Sequence, residues 1–231
     1  MSTVTAIVSA YYAEEFLRGR LVNLKAQSLE PEIVVVCQDG SEEHAIAREF
    51  EVKTVLTTVI PTVYDAWNMA IRDSEGDYIT SANSDDRFYP GALEKMAAAL
   101  DRHSDRCLAY ANVDRVTEID GESVAVFDWA EGGLEKLLEG CFIGPMPMWR
   151  RSLHEEHGYF FSDYTVAGDY EFWMRLALAG ERFYKMRCGA LGAHLEHDKA
   201  LEHREGLRAT WETAKVRGIY RDAIKERKKN G

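Results

Sequence analysis

Short β-branched apolar runs alternate with amphipathic stretches along the first half of this chain, and that alternation restricts the fold more than any other feature. Val4 to Ala10 is a run of the first kind, and Glu14 to Gln27 places Phe16, Leu17, Leu21 and Leu24 on one helical face. Ile33 to Cys37 is apolar without a break, as a strand covered on both faces must be, and Asp39-Gly40-Ser41 ends it before a helical stretch reaching Phe50. Further strands are expected at Val52 to Thr58, Asp77 to Ser81 and around Cys107 to Asn112, with helices near Thr62 to Arg72 and Gly91 to Arg102. Strands and helices in this order predict an α/β sandwich around a mainly parallel sheet.

Beyond Asn112 the alternation fades. Residues 113–128 read as a hairpin turning at Asp120-Gly121, followed by a helix near Leu134 to Leu138, a Pro- and Met-rich segment from Gly144 to Trp149 and a loop around Tyr159 to Val166. Helices at about Asp169 to Ala179 and Ala200 to Lys228 close the chain. At 231 residues, with no internal repeat or linker, one elaborated domain is expected. Residues 1–112 form its first half, 113–198 a second half grafted onto the same sheet, and 199–231 a C-terminal helix and basic tail.

Net charge narrows the partners. The formal value of -11 would repel a phosphate backbone, so nucleic acid is not expected, and a phosphate-bearing ligand must be met locally through a cation. Cys37, Cys107, Cys141 and Cys188 are far apart and form no CxxC pair, so free thiols in a reducing compartment are expected. Met1 to Ala10 carries no basic segment followed by a long apolar stretch, and no window approaches 18 uncharged apolar residues. The expectation is a cytoplasmic protein, at most peripheral at the inner face of a membrane.

In open α/β sheets ligands sit beyond the carboxyl ends of the strands. Ser9, Ala10 and Tyr11 follow the first strand, Asp39 the second, and Asn83, Ser84, Asp85 and Asp86 the fourth. Two carboxylates about 4 Å apart repel by on the order of 4 kcal/mol at an effective dielectric near 20, which a divalent cation relieves. Oxygen ligands suit Mg²⁺ or Mn²⁺, which would let an acidic protein hold a diphosphate. The other reading makes Asp39-Gly40-Ser41 a turn and helix cap and Ser84-Asp85-Asp86 the start of a loop. Neither GxGxxG nor GxxxxGK[ST] occurs, which disfavours the usual dinucleotide site and a P-loop.

From about Val4 to Gly180 the sequence resembles the family-two glycosyltransferases. Val8-Ser9-Ala10-Tyr11 with Glu15-Phe16-Leu17 is similar to the family's opening strand and helix, and Val34 to Ser41 to its second strand ending in Asp-Gly-Ser. Tyr64-Asp65-Ala66-Trp67-Asn68, Gly76-Asp77-Tyr78-Ile79 and Asn83-Ser84-Asp85-Asp86 resemble a subgroup reading YDAxN, GxYI and NxDD. Gly168 to Leu176 looks like the (E)DYDLWLRL segment. Gln38 departs from the pattern where many members carry an Asp, as does Asn83 at the first carboxylate of DxDD.

The resemblance implies the GT-A fold, a Rossmann-like αβα sandwich with an acceptor-side extension. It further implies an inverting transfer of a sugar from a nucleoside diphosphate to a hydroxyl of a glycan or lipid-linked glycan, as in bacterial surface polysaccharide or glycolipid synthesis. Asp39 would hydrogen-bond the nucleobase, with Ser9 and Tyr11 around the same pocket; Asp65 and Asn68 would line the donor side; Asp85 would contact ribose or sugar; and Asp86 would ligate Mn²⁺ or Mg²⁺. Asp169 would be the general base, although its place at a helix start also suits an N-cap. His194 or His197 would add a metal or diphosphate contact, against surface or core roles for most of the seven histidines.

Tyr159, Phe160, Phe161, Tyr164 and Trp149 suit either a sugar face or ordinary packing. The tail from Trp211 to Gly231 carries a net +4. It suits either a weak contact with an anionic membrane or a solvated helix end whose cations meet the macrodipole. Two other functions fit the sequence less closely: a non-catalytic nucleotide-sugar binder, and a sugar-phosphate nucleotidyltransferase. The latter would need a basic Gly-rich loop where Ser9-Ala10-Tyr11-Tyr12-Ala13 stands.

Overall fold

The computed structural model describes residues 2–198 and 204–230. β1 (Val4–Ala10) pairs in parallel with β2 (Glu32–Gln38), and β2 pairs in parallel with β3 (Lys53–Thr57). α1 (Glu14–Lys25) and α2 (Glu42–Glu49) make the crossovers. α3 (Val63–Asp73) then carries the chain back across the sheet to β4 (Tyr78–Ser81), which pairs with the other side of β1. This reversal puts a topological switch point between β1 and β4, where the carboxyl ends of neighbouring strands open a crevice.

The period-two alternation of the strands sorts the core into two layers. Ala6, Val8, Ile33 and Val35 face a cluster with Leu17, Leu21 and Leu24 of α1 and with Leu93 and Met96 of α4 (Ala92–Arg102). Ile7, Val34, Val36 and Ile79 point to the opposite face, against Tyr64, Trp67 and Ile71 of α3 and against α7 (Gly168–Ala179). Both layers are therefore filled from consecutive residues of the same strands. The GxYI motif is part of this frame: a Cβ on Gly76 would meet the Thr5 backbone nitrogen at 2.6 Å, and Asp77 Oδ2 accepts from the Thr3 backbone nitrogen at 2.8 Å.

The second half contributes to the same sheet. After the two-residue β5 (Arg87–Phe88) and α4 come β6 (Leu108–Tyr110), β7 (Val113–Val116) and β8 (Ala125–Phe127). β7 and β8 form the expected antiparallel hairpin. α5 (Leu134–Leu137) leads to β9 (Met148–Arg150), which lies antiparallel between β4 and β6. Sequence reading left Gly144 to Trp149 without an element because three strand residues just behind a proline give almost no periodic signal. Burial on both faces, Met148 toward one cluster and Trp149 toward the other, is what defines this central strand.

α6 (Leu153–Glu156) precedes α7, and β10 (Phe183–Lys185) and β11 (Gly192–Leu195) follow it, neither strand legible beforehand. Among the described residues the strand orders are β10-β6-β9-β4-β1-β2-β3 and β5-β11-β7-β8. The last helix, α8 (Gly206–Asn230), packs on α7; its expected start at Ala200 lies outside the described residues. The four cysteines are free, and no described helix is long and apolar enough to cross a membrane.

Candidate active site

A cleft of about 690 Å³ opens at the β1/β4 switch point. Ser9 and Tyr11 reach it from the end of β1, Ser81 and Asn83 to Asp85 from the end of β4, Asp169 and Trp173 from α7, and His194 and His197 from β11 and the residues after it. Six of the sequence-predicted residues therefore line one cleft: Ser9, Tyr11, Asp85, Asp169, His194 and His197.

Asp169 stands in the first turn of α7, whose N-cap position belongs to Ala167 and has no side-chain bond. The cap role open to Asp169 on sequence therefore falls away. Its Oδ1 accepts from the Tyr64 hydroxyl at 3.0 Å and from the Tyr170 backbone nitrogen at 2.7 Å. Burial, reinforced by the neighbouring Asp169 charge, holds the Tyr64 phenol well above its ordinary range, so Tyr64 remains the donor of that bond. Its single hydrogen is shared with the Val166 carbonyl, 2.7 Å from the same hydroxyl oxygen.

On the opposite flank the consecutive carboxylates have different surroundings. Asp85, 22% exposed, meets His197 Nε2 at 2.9 Å. Burial and then the adjacent Asp86 raise the Asp85 carboxyl above the usual range, while the His197 bond works against them. Asp86 is fully buried: Oδ1 meets His194 Nδ1 at 2.8 Å and the Leu195 backbone nitrogen at 3.3 Å, and Oδ2 accepts from Asn83 Nδ2 at 3.0 Å. The result is two carboxylate–imidazole pairs side by side. Asp86 fixes the ring of His194 as an outer carboxylate does for a metal-binding imidazole. Beneath them, burial lowers the Arg20 guanidinium to about 9, a shift offset chiefly by the charge of Asp86.

The remaining predicted residues lie off the cleft wall. Asp39 is at the rim beyond β2 with its side chain 67% exposed and 3.3 Å from His44 Nδ1. Its backbone nitrogen donates to the Thr57 carbonyl, and the Thr57 hydroxyl in turn bonds the Tyr11 hydroxyl at 2.8 Å. Gly40 takes a left-handed φ of 73° and Ser41 caps α2, so that triplet is also a turn and cap. Thr62 caps α3, its hydroxyl accepting from the Asp65 backbone nitrogen at 3.1 Å and donating to Asp65 Oδ2 at 2.9 Å. Asn68 uses both ends of its amide on the Phe160 backbone, at 2.8 Å and 3.0 Å. Asp65 and Asn68 thus hold α3 and the 159–161 segment in place. Of the flanking aromatics, Phe160, Trp149 and Tyr164 are buried in the core beside α7, while Phe161 is exposed.

The family model for glycosyl transferase family 2 matches residues 5–158, which carry six of the seven strands of the main sheet and the Asp85–Asp86 pair. This chain belongs to glycosyl transferase family 2. Among curated relatives, it is 25% identical over 186 residues to the uncharacterized glycosyltransferase YwdF of Bacillus subtilis (strain 168), covering 75% of this chain and 68% of that protein. It is also 25% identical over 198 residues to an uncharacterized glycosyltransferase of Haemophilus influenzae, covering 77% of this chain and 61% of that one.

Its fold is shared with residues 1–349 of S. aureus TarS, at a TM-score of 0.74 and 20% identity over 94% of this chain and 65% of that one. TarS has also been solved with UDP and with UDP-GlcNAc. The mannosyltransferase PcManGT of Pyrobaculum calidifontis, solved with GDP-Man and Mn²⁺, matches at a TM-score of 0.69 and 18% identity over 90% of this chain and 60% of that one. The chain thus spans 65% of the TarS 1–349 chain, 39% of a longer TarS chain and 60% of the PcManGT chain. These GT-A structures bear out the expected mixed α/β architecture with its mainly parallel sheet.

Tyr64, Trp173 and Arg20 belong to the site without having been assigned a role from sequence. Tyr64 and Trp173 lie inside quoted motifs, but the contact of Tyr64 with Asp169 spans 105 positions and has no local signature.

Proposed function

We propose that this protein is an inverting glycosyltransferase that moves a sugar from a nucleoside-diphosphate donor to a hydroxyl acceptor. The observation that carries the proposal is one cleft with a carboxylate anchored by Tyr64 on one wall and the Asp85–His197 and Asp86–His194 pairs on the other. UDP, UDP-GlcNAc and GDP-Man in the structural neighbours support a nucleotide-sugar donor. An acceptor in bacterial surface polysaccharide or glycolipid synthesis is the part of this reading that rests on the family resemblance of the sequence motifs alone.

Asp169 takes the proton of the acceptor hydroxyl as that oxygen bonds the anomeric carbon and the bond from that carbon to the diphosphate oxygen breaks, inverting the centre. Tyr64 orients the carboxylate, and Trp173 closes the wall behind it. Ser9 and Tyr11 border the nucleotide end, with Asp39 adjoining them through Thr57. A carboxylate beside imidazoles is a donor set suited to Mn²⁺, and also accommodates Mg²⁺. Asp85 and His197, 2.9 Å apart on the cleft, would hold such an ion, with His194 oriented beside them by Asp86, and the ion would supply charge neutralisation to the leaving diphosphate. This reading moves the metal-facing role from Asp86, expected from the motif, to Asp85, because both carboxylate oxygens of Asp86 are already engaged and the residue is fully buried.

The test is Asp169→Asn. Asparagine keeps an oxygen for Tyr64 and for the Tyr170 backbone but removes the proton acceptor. Calorimetric binding of UDP or GDP with Mn²⁺ is expected to survive while transfer falls at least ~100-fold. Unchanged turnover would remove Asp169 from the chemistry. The anomeric proton of the product, read by magnetic resonance, distinguishes inversion from retention.

A further inference from the structure

The N-terminus of α7 carries the proposed base in its first turn yet has no capping side chain of its own. The backbone just ahead of it is satisfied from the far end of the chain. Glu212, 2% exposed on α8, accepts from the Val166 nitrogen at 2.8 Å and the Ala167 nitrogen at 2.9 Å through Oε2. The Thr165 nitrogen is shared between Oε1 at 2.9 Å and Oε2 at 3.1 Å. Three successive N–H groups on one carboxylate form an anion-binding nest closed by charge-assisted bonds. On the other side of the same segment, the Tyr64 hydroxyl shares its hydrogen between the Val166 carbonyl and Asp169. Residues 165–167 are therefore clamped between α3 and α8, with Asp169 immediately downstream.

Docking of α8 on α7 has its own fastening. The Tyr220 hydroxyl donates to Glu171 Oε1 at 2.6 Å, and Glu171 pairs with Arg175 at 2.8 Å. Val216 is fully buried in the same interface. A Ser, Thr or Asp at position 167 would cap α7 locally without burying a charge from another helix. The carboxylate reaching in from α8 instead couples the base-bearing turn to the C-terminal helix.

We propose that Glu212 is a positioning residue for Asp169, a clasp by which α8 fixes the 165–167 backbone and so the direction of the base in the cleft. The inference rests on the reading of Asp169 as the base. It is tested by Glu212→Gln beside Tyr220→Phe, which removes a buried hydrogen bond from the same helix without touching residues 165–167.

In Glu212→Gln the amides of 165–167 are expected to exchange with solvent deuterium at least ~10-fold faster. Calorimetric binding of UDP and GDP with Mn²⁺ is expected to be unchanged. In transfer from UDP-GlcNAc or GDP-Man to alkyl glycosides, kcat is expected to fall at least ~10-fold at constant donor KM, as misplacing a reacting group by a fraction of an ångström does. Tyr220→Phe should keep both the wild-type protection and the wild-type kcat. Wild-type protection or full kcat in Glu212→Gln would overturn the clasp, as would an equal loss of kcat in Tyr220→Phe. Should the Gln variant not fold, Glu212→Asp carries the same test with the charge kept and the reach shortened. Asp169→Asn, run in parallel, separates the two claims. If it is as active as wild type, the base assignment fails and the clasp falls with it. If it is inactive while Glu212→Gln is fully active, only the clasp fails.

Discussion

Gly168→Ala sets local helix preference directly against packing at the site. Alanine is favoured over glycine inside a helix by about 1 kcal/mol, so local propensity alone predicts a more stable protein. The surroundings predict the reverse. A Cβ at residue 168 would lie 2.7 Å from both Cδ2 and Cε2 of Tyr64 and 2.9 Å from its Cγ, against ordinary contact at 3.4 Å or more. The ring is 3% exposed, packs edge-on to Trp67 at 5.5 Å and near Phe160 at 5.8 Å, and its hydroxyl is committed to Val166 and Asp169.

Either the ring or the first turn of α7 must therefore give by roughly 0.7 Å, at an overpacking cost of about 1–3 kcal/mol. Net of the helix gain this leaves a loss of about 0–2 kcal/mol, a fall of up to about 8 °C in melting temperature for a chain of this size. The kinetic effect is the sharper one, because the displacement falls on the Tyr64–Asp169 pair. A misplacement near 1 Å costs on the order of 100-fold, so kcat for transfer is expected to drop ~10- to 100-fold. Nucleotide binding should hold, since the Asp85 and His197 side is untouched. Steady-state kinetics, a thermal melt and calorimetry of the same preparation read all three quantities. A variant with full kcat and a raised melting temperature would refute the reasoning.

The two consecutive carboxylates should separate by phenotype. Asp85→Ala is expected to fold and to lose Mn²⁺-dependent nucleotide binding in calorimetry, matching wild type treated with a chelator. Asp86→Asn removes the charge that offsets buried Arg20 and is expected to cost about 3 kcal/mol, read as a lower urea midpoint. Identical outcomes for both would undo the division between them. Acid sensitivity has a named source in His154, which accepts from the Trp149 indole at 2.9 Å and whose imidazole burial pushes down to about 4. The unfolded chain takes up this proton near 6.5 while the folded protein does not, so the contribution is fully present above pH 6.5 and is lost as pH falls toward 4. The swing is about 3 kcal/mol, and His154→Phe should flatten the melting temperature over that window.

Much of the frame was legible because it is written in local periodicity. The uninterrupted apolar run at Ile33 to Cys37, the helical spacing of Leu17, Leu21 and Leu24, and the turn at Asp39-Gly40-Ser41 each report on a few consecutive residues, and the elements follow them closely. The polar residues beyond β1 and β4 could be anticipated at the site for the same reason, since strand polarity alone sends them to one edge of the sheet. Met148–Arg150, Phe183–Lys185 and Gly192–Leu195 were not legible, because strands of three or four residues owe their existence to neighbours already in place.

The sequence by itself determined the order of strands and helices and the edge at which a ligand would be met. The tertiary structure alone decided the surroundings of each carboxylate. Asp85 and Asp86 are chemically identical neighbours, yet one borders the cleft and the other is sealed beneath His194. Asp169 is oriented by Tyr64 across 105 positions, while Glu212 reaches back 45 to 47 positions to the backbone just ahead of it. Burial and long-range hydrogen bonding set the exposure and direction of each charged group, and both depend on residues that the chain brings together only when it folds.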